Sequence, residues 1–110
     1  MPHIKITQLN NEEVLSLSKE VLDDIVRVTN TPQHIIKFYA TNTSIILNNE
    51  INNDCILVEV LWFNRPLTMK DEVAKILHNA LLKRGFKEIL IYFSDINGEN
   101  YYNNLDNSKR

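Results

Sequence analysis

The chain opens Met1-Pro2-His3-Ile4-Lys5-Ile6, and Pro2 has the most unusual chemistry available to it. A small residue at position 2 permits removal of Met1, which would leave Pro2 as a free secondary amine. Burial or a neighbouring cation disfavours the protonated amine and lowers its pKa. A neutral amine of this kind can take a proton from a carbon next to a carbonyl. The plain alternative is that Pro2 stiffens the start of an edge strand, where its missing N–H does no harm.

Other residues invite a chemical reading, each beside a plainer one. Glu59 lies inside an apolar run, where a lone charge is costly unless paired. It is either a structural partner, with Lys5 the candidate cation, an interface contact, or a pocket acid that shuttles protons. Trp62 is either core, subunit interface or pocket wall. His3 and Lys5 share the face opposite Ile4 and Ile6, and are either solvated or close to a site because they neighbour Pro2. Tyr101 and Tyr102 either pack a subunit edge or line a site mouth. Cys55 sits in an apolar run with no base beside it in sequence and reads as a buried, inert thiol. His34 and His78 read as surface residues. No two histidines have helical ligand spacing, so neither a metal nor another cofactor is expected.

The 110 residues fit one domain with one modest core. Hydrophobic residues make up 44% and charged residues 24%, an ordinary globular balance. A net charge of −2 carries no electrostatic footprint for nucleic acid, so no nucleic-acid partner is expected. The single cysteine excludes an intrachain disulfide. No apolar run approaches the roughly 20 residues that cross a bilayer. The early acids Glu12, Glu13 and Glu20 do not fit a secretory leader. A cytoplasmic location is the resulting expectation, with no membrane partner.

The elements that must position these residues follow from periodicity. Residues 2–7 alternate as a half-buried strand. Asn10 with Glu13 marks a helix start, and Val14, Leu17, Val21, Ile25 and Val28 form one buried stripe, with Leu22 at its flank. Pro32 ends that helix. Residues 35–47 read as a second strand region kinked at 41–43, and residues 48–54 as a polar loop. Cys55–Phe63 is nearly continuous in apolar residues, the pattern of a central strand covered on both faces. Asn64-Arg65-Pro66 breaks it, and Thr68 with Asp71 reads as the start of a second helix. Its stripe is Val73, Ile76, Leu77, Ala80 and Leu81, and Gly85 closes it. Residues 89–93 form the next strand, 95–98 a turn, and 100–102 a short final strand. The domain spans residues 1–102, followed by a polar tail over 103–110.

This order is a β-α-β unit repeated once. Right-handed crossovers place each helix on the same side. The predicted fold is α+β, a four-stranded mixed sheet with two helices on one face. Too many apolar residues then remain on the other face for a monomer, and an oligomer is expected.

Three stretches add a resemblance: Met1-Pro2 leading straight into a strand; Thr29-Asn30-Thr31-Pro32-Gln33-His34-Ile35; and Ile91-Tyr92-Phe93-Ser94-Asp95-Ile96-Asn97 followed by Asn100-Tyr101-Tyr102. With the duplicated topology they resemble the tautomerase superfamily, in its branch like macrophage migration inhibitory factor. Val58–Phe63 with Arg65 is similar to a bacterial subfamily of unknown function within it. The resemblance implies a homotrimer whose sheets form a central barrel, with sites at subunit interfaces. It implies Pro2 as catalytic base, or as acid in hydration and dehalogenation, acting on a small carbonyl acid, and Tyr92 reaching the proline from a neighbouring subunit. Members carry a cation before the first helix or before the second strand, where this chain has Gln8-Leu9-Asn10-Asn11 and Asn30-Thr31-Pro32. Arg65 is the replacement, since its planar fork suits a carboxylate. The substrate-binding set is then Arg65, Tyr92, Lys5, Glu59 and Trp62. Two rival readings stay open: a trimer that binds or builds without turnover, and a ferredoxin-like small-molecule regulatory domain.

Overall fold

The computed structural model describes residues 2–105. Its elements are β1 (His3–Ile6), α1 (Asn11–Thr29), β2 (Lys37–Ala40), β3 (Ile45–Leu47), β4 (Glu50–Asn52), β5 (Cys55–Phe63), α2 (Leu67–Lys83) and β6 (Glu88–Ile96). Four strands form the main sheet in the order β2-β1-β5-β6. Each outer pair, β1 with β2 and β5 with β6, is parallel, and the two halves meet through antiparallel β1 and β5. This is the expected α+β duplication with a mixed sheet.

The strand alternation explains which face is covered. Ile4 and Ile6 of β1 and Ile56, Val58, Val60 and Trp62 of β5 are fully buried beneath the helices. Leu17, Val21 and Ile25 from α1 and Val73, Leu77 and Leu81 from α2 close the same core. Each large aliphatic side chain taken fully out of water contributes about 1.5–3 kcal/mol, so these stripes seat both helices on one side. On the opposite face Leu57, Leu90, Tyr39 and Tyr92 remain exposed.

Helix α1 starts with a complete capping box. The Glu13 backbone N–H donates to Asn10 Oδ1 at 2.8 Å and the Asn10 N–H donates to Glu13 Oε1 at 3.0 Å. It ends with Asn30 in the left-handed region. Helix α2 corrects the sequence expectation: Pro66 stands at the N-cap with no side-chain cap, and Thr68 lies already inside the helix. Pro66 fixes its own φ near the helical value and needs no N–H, so it enters the helix without a polar cap. Gly85, at φ 91°, closes α2 as expected. At that end Arg84 donates to Glu20 Oε1 at 3.0 Å, tying α2 to α1.

Four further expectations are corrected. The region 35–47 is not one kinked strand: β2 stops at Ala40, and β3 leaves the main sheet to pair with β4. The stretch 48–54 is therefore not a loop. Asn48 and Asn49, at φ 53° and 67°, make a tight turn between Leu47 and Glu50. Two positive φ values are what a two-residue hairpin demands, and Asn tolerates them. At the other end, β6 runs on through Asp95 and Ile96 where a turn was expected. Residues 98–100 form a 3-10 turn, and Tyr101 and Tyr102 are not in a strand. Of the tail expected over 103–110, residues 106–110 lie outside the described residues.

The cap difference is measurable. Asn10→Ala should lower stability by about 1 kcal/mol, the usual worth of such a cap. Thr68→Ala should leave the denaturation midpoint nearly unchanged. Equal losses at both positions would contradict the capping described here.

Candidate functional site

Pro2 is buried at the open end of β1. Its carbonyl accepts the Lys37 N–H at 3.1 Å, which fixes it against the start of β2. On its other side β1 pairs with β5 in the register His3 opposite Leu61 and Ile4 opposite Val60. Continuing that register sets Pro2 across from Trp62, on the helix-covered face they share. The sequence therefore brings together, through one strand pairing, residues sixty positions apart.

Trp62 is fully buried and stacks on Phe93 with ring centroids 4.9 Å apart. The Arg65 guanidinium carbon lies 5.5 Å from the centre of the Trp62 ring. The residue before a proline is held extended, so Pro66 fixes the backbone of Arg65 where the chain leaves β5. Among the described residues, neither the indole N–H of Trp62 nor the Nε–H of Arg65 has an acceptor, although both atoms are buried. No ion pair within the described residues involves Arg65 either. Two buried donors with no acceptor form a place where an anionic oxygen would be favoured.

Lys37 supplies a cation that sequence reading missed. It precedes no recognisable motif and reaches the Pro2 end only through its pairing opposite His3. His3 is held at both ring nitrogens: Nδ1 lies 2.7 Å from the Tyr39 hydroxyl and Nε2 lies 3.0 Å from the Tyr101 hydroxyl. Tyr101 also meets Phe63 edge-on at 5.4 Å. The segment after β6 thus crosses the end of β5 to reach β1. Burial pushes the His3 imidazole below its ordinary value, helped by the positive charges of Lys37 and Lys5. A neutral imidazole has one donor and one acceptor nitrogen, so one tyrosine donates to it and the other accepts from it.

The remaining sequence-predicted residues sit elsewhere. Lys5, Glu59 and Tyr92 occupy one register row on the uncovered face, Lys5 opposite Glu59 and Glu59 opposite Tyr92. No ion pair within the described residues joins Lys5 to Glu59. Tyr92 is exposed, and within one subunit this row lies three rows along the sheet from the Pro2–Trp62 pair. Arg65 meets Trp62 within one chain, and the extended register sets Pro2 across from Trp62; Lys5, Glu59 and Tyr92 lie apart from them. Cys55 is buried, as expected, and burial raises its thiol, with Glu88 adding to the effect.

The sequence pattern of the family described as Domain of unknown function (DUF1904) matches residues 1–107. The chain belongs to the DUF1904 family. No curated protein matches this DUF1904 chain. A solved DUF1904 domain from Sebaldella termitidis is 23% identical, covers 96% of this chain and 98% of its own, and superposes with a TM-score of 0.89. A macrophage migration inhibitory factor-like protein from Entamoeba histolytica is 14% identical over 94% of this chain and 95% of its own, at a TM-score of 0.74. A fused 4-OT described as an asymmetric trimer reaches a TM-score of 0.79 at 11% identity, covering 94% of each chain. The DUF1904 chain thus has the tautomerase fold of the migration inhibitory factor type. Within its described residues no helix is long and apolar enough to cross a membrane.

The His3 environment gives a signed pH dependence. The unfolded chain takes up this proton near pH 6.5, the folded chain only at lower pH. Stabilisation is therefore complete above about pH 6.5 and is lost as pH falls from there towards the folded value. Denaturation midpoints should drop between about pH 7.5 and pH 5.5, and His3→Gln should flatten that slope. Glu20, lowered by its hydrogen bond from Arg84, acts in a separate window below about pH 4.5. An unchanged slope in His3→Gln would assign the acid sensitivity to another group.

Proposed function

We propose that this protein is a tautomerase-like enzyme that moves a proton on a small carbonyl acid. In this reading Met1 is removed and the Pro2 amine is the base. The observation that carries it is the position of buried Pro2 across from Trp62, beside an Arg65 whose buried Nε–H has no acceptor among the described residues. A substrate carboxylate would satisfy both orphaned donors at once, Arg65 in a charge-assisted bond and the indole as a second donor. That would hold the carbon to be deprotonated against a fixed base, the geometry that makes proton transfer efficient. Burial and the charges of Arg65 and Lys37 all favour a neutral amine at Pro2.

The site is completed in a homotrimer. The uncovered apolar face calls for a partner, and two fold neighbours are fused 4-OT proteins described as trimers. Tyr92, Lys5 and Glu59 then belong to the subunit interface, with Tyr92 supplied to a neighbour's Pro2.

Protein whose mass shows loss of Met1 should ketonise an enol acid such as the enol form of phenylpyruvate. Pro2→Ala should lower turnover by about 100-fold or more, the usual worth of a general base. Arg65→Gln should raise KM by about 10–100-fold, since a hydrogen bond to a charged group is worth about 1.5–3 kcal/mol. Equal turnover in wild type and Pro2→Ala would leave a binding or structural trimer without catalysis.

A further inference from the structure

The register that sets Pro2 across from Trp62 continues into β6, where Trp62 stands opposite Asp95. Two rows further in, Ile4, Val60 and Phe93 belong to the core beneath the helices. Strand alternation gives Pro2, Trp62 and Asp95 that same face. With about 4.8 Å between neighbouring strands, the Asp95 backbone lies about 10 Å from that of Pro2. Between them stands the fully buried indole of Trp62. A charge acting across buried side chains is screened far less than one acting through water.

A carboxylate in that row works against a base. It favours the protonated amine at Pro2, the form that cannot take a proton. The other titratable groups beside Pro2 are His3 on β1, Lys37 on β2 and Arg65 after β5, and none of them is an acid. Lys5 and Glu59 stand three rows away on the opposite face. Helix α1 turns only uncharged residues inward: Val14, Leu17, Val21, Ile25 and Thr29. Beyond β6 come Glu99, exposed in the 3-10 turn, and Tyr101 at His3. From α2 comes Lys70, whose Nζ lies 3.4 Å from Asp95 Oδ2.

We propose that Lys70 is a positioning residue of the Pro2 site: by holding Asp95 in an ion pair it cancels the carboxylate in the Pro2–Trp62 row. Two observations set this pair apart from an ordinary surface contact. The first is where the lysine stands. Lys70 is the first charged residue of α2, close to the helix end whose dipole favours acids, and the first turn holds no acid. A cation there goes against the local preference, as residues serving a site commonly do. The second is what carries it. The Lys70 N–H donates to the Pro66 carbonyl at 3.1 Å, and Pro66 directly follows Arg65. One turn thus supplies both the cation over the indole and the cation that neutralises the acid beyond it. The inference rests on the proposed Pro2 base and deepens it. Partly exposed pairs contribute little to stability, so the effect of this one belongs in the pH profile.

The pH dependence of kcat/KM reports the ionisation of the free enzyme, measured on protein that has lost Met1. Lys70→Met removes the charge and keeps the stem. It should move the acidic limb, where the base takes up its proton, upward by about half to one pH unit, with the denaturation midpoint nearly unchanged. Asp95→Asn should move the limb downward, because Lys70 then acts unopposed. Lys70→Met combined with Asp95→Asn should return it close to the wild-type position, and Lys70→Arg should leave it there. Should Lys70→Met not fold, Lys70→Gln makes the same test. An unmoved limb in the neutral Lys70 variants, or a shift that Asp95→Asn does not reverse, would overturn the role of Lys70 while Pro2→Ala stayed inactive. Retained Met1, or full turnover in Pro2→Ala, would instead remove the base itself and this inference with it.

Discussion

The antiparallel pairing of β1 with β5 joins the two β-α-β halves of the four-stranded sheet. Its register decides what the Pro2 end contains. Ile4 opposite Val60 and Ile6 opposite Val58 put four fully buried side chains on one face. A slip of one residue would turn all of β1's apolar side chains out to solvent. The same register that protects the core therefore places Pro2 beside Trp62, and Trp62 in turn seats Arg65. Packing fixes what this end contains: a buried Pro2, a buried indole and a guanidinium over its ring, set among close-packed side chains.

Much of this was legible in the sequence where the signal was local or continuous. Asn10 and Glu13 showed their capping box because both partners lie within one turn. Cys55–Phe63 showed a central strand through its nearly continuous apolar run, but within one subunit the helices fully bury only Ile56, Val58, Val60 and Trp62, and Leu57 stays exposed on the other face. What stayed hidden depended on distance along the chain. Lys37 joins the Pro2 end through strand register, and Tyr101 through a crossing that reaches His3 from the far end of the chain. No spacing rule marks either. The resemblance places a cation before the second strand, at residues 30–32, whereas Lys37 stands at that strand's first residue.

The β3–β4 hairpin has a local signal, since Asn48-Asn49 between two apolar stretches is a two-residue turn pattern, yet in a chain this rich in asparagine the same pair also fits a polar loop. Thr68 failed for the opposite reason. Its spacing from Asp71 satisfies a capping pattern, yet Pro66 had already started the helix two residues earlier. Both cases show backbone geometry overriding composition: positive φ made asparagine structural in one, and a fixed proline φ made threonine's hydroxyl unnecessary in the other.

The account turns on whether position 2 holds a neutral amine at working pH. An NMR titration of protein carrying 15N-labelled proline measures this directly. The account predicts loss of Met1 and a Pro2 amine that titrates below the ordinary α-amino range of about 7.7–8.0, with Arg65→Gln moving it upward. A Pro2 nitrogen that remains a peptide, or an amine that titrates within or above that range and ignores Arg65, would contradict it.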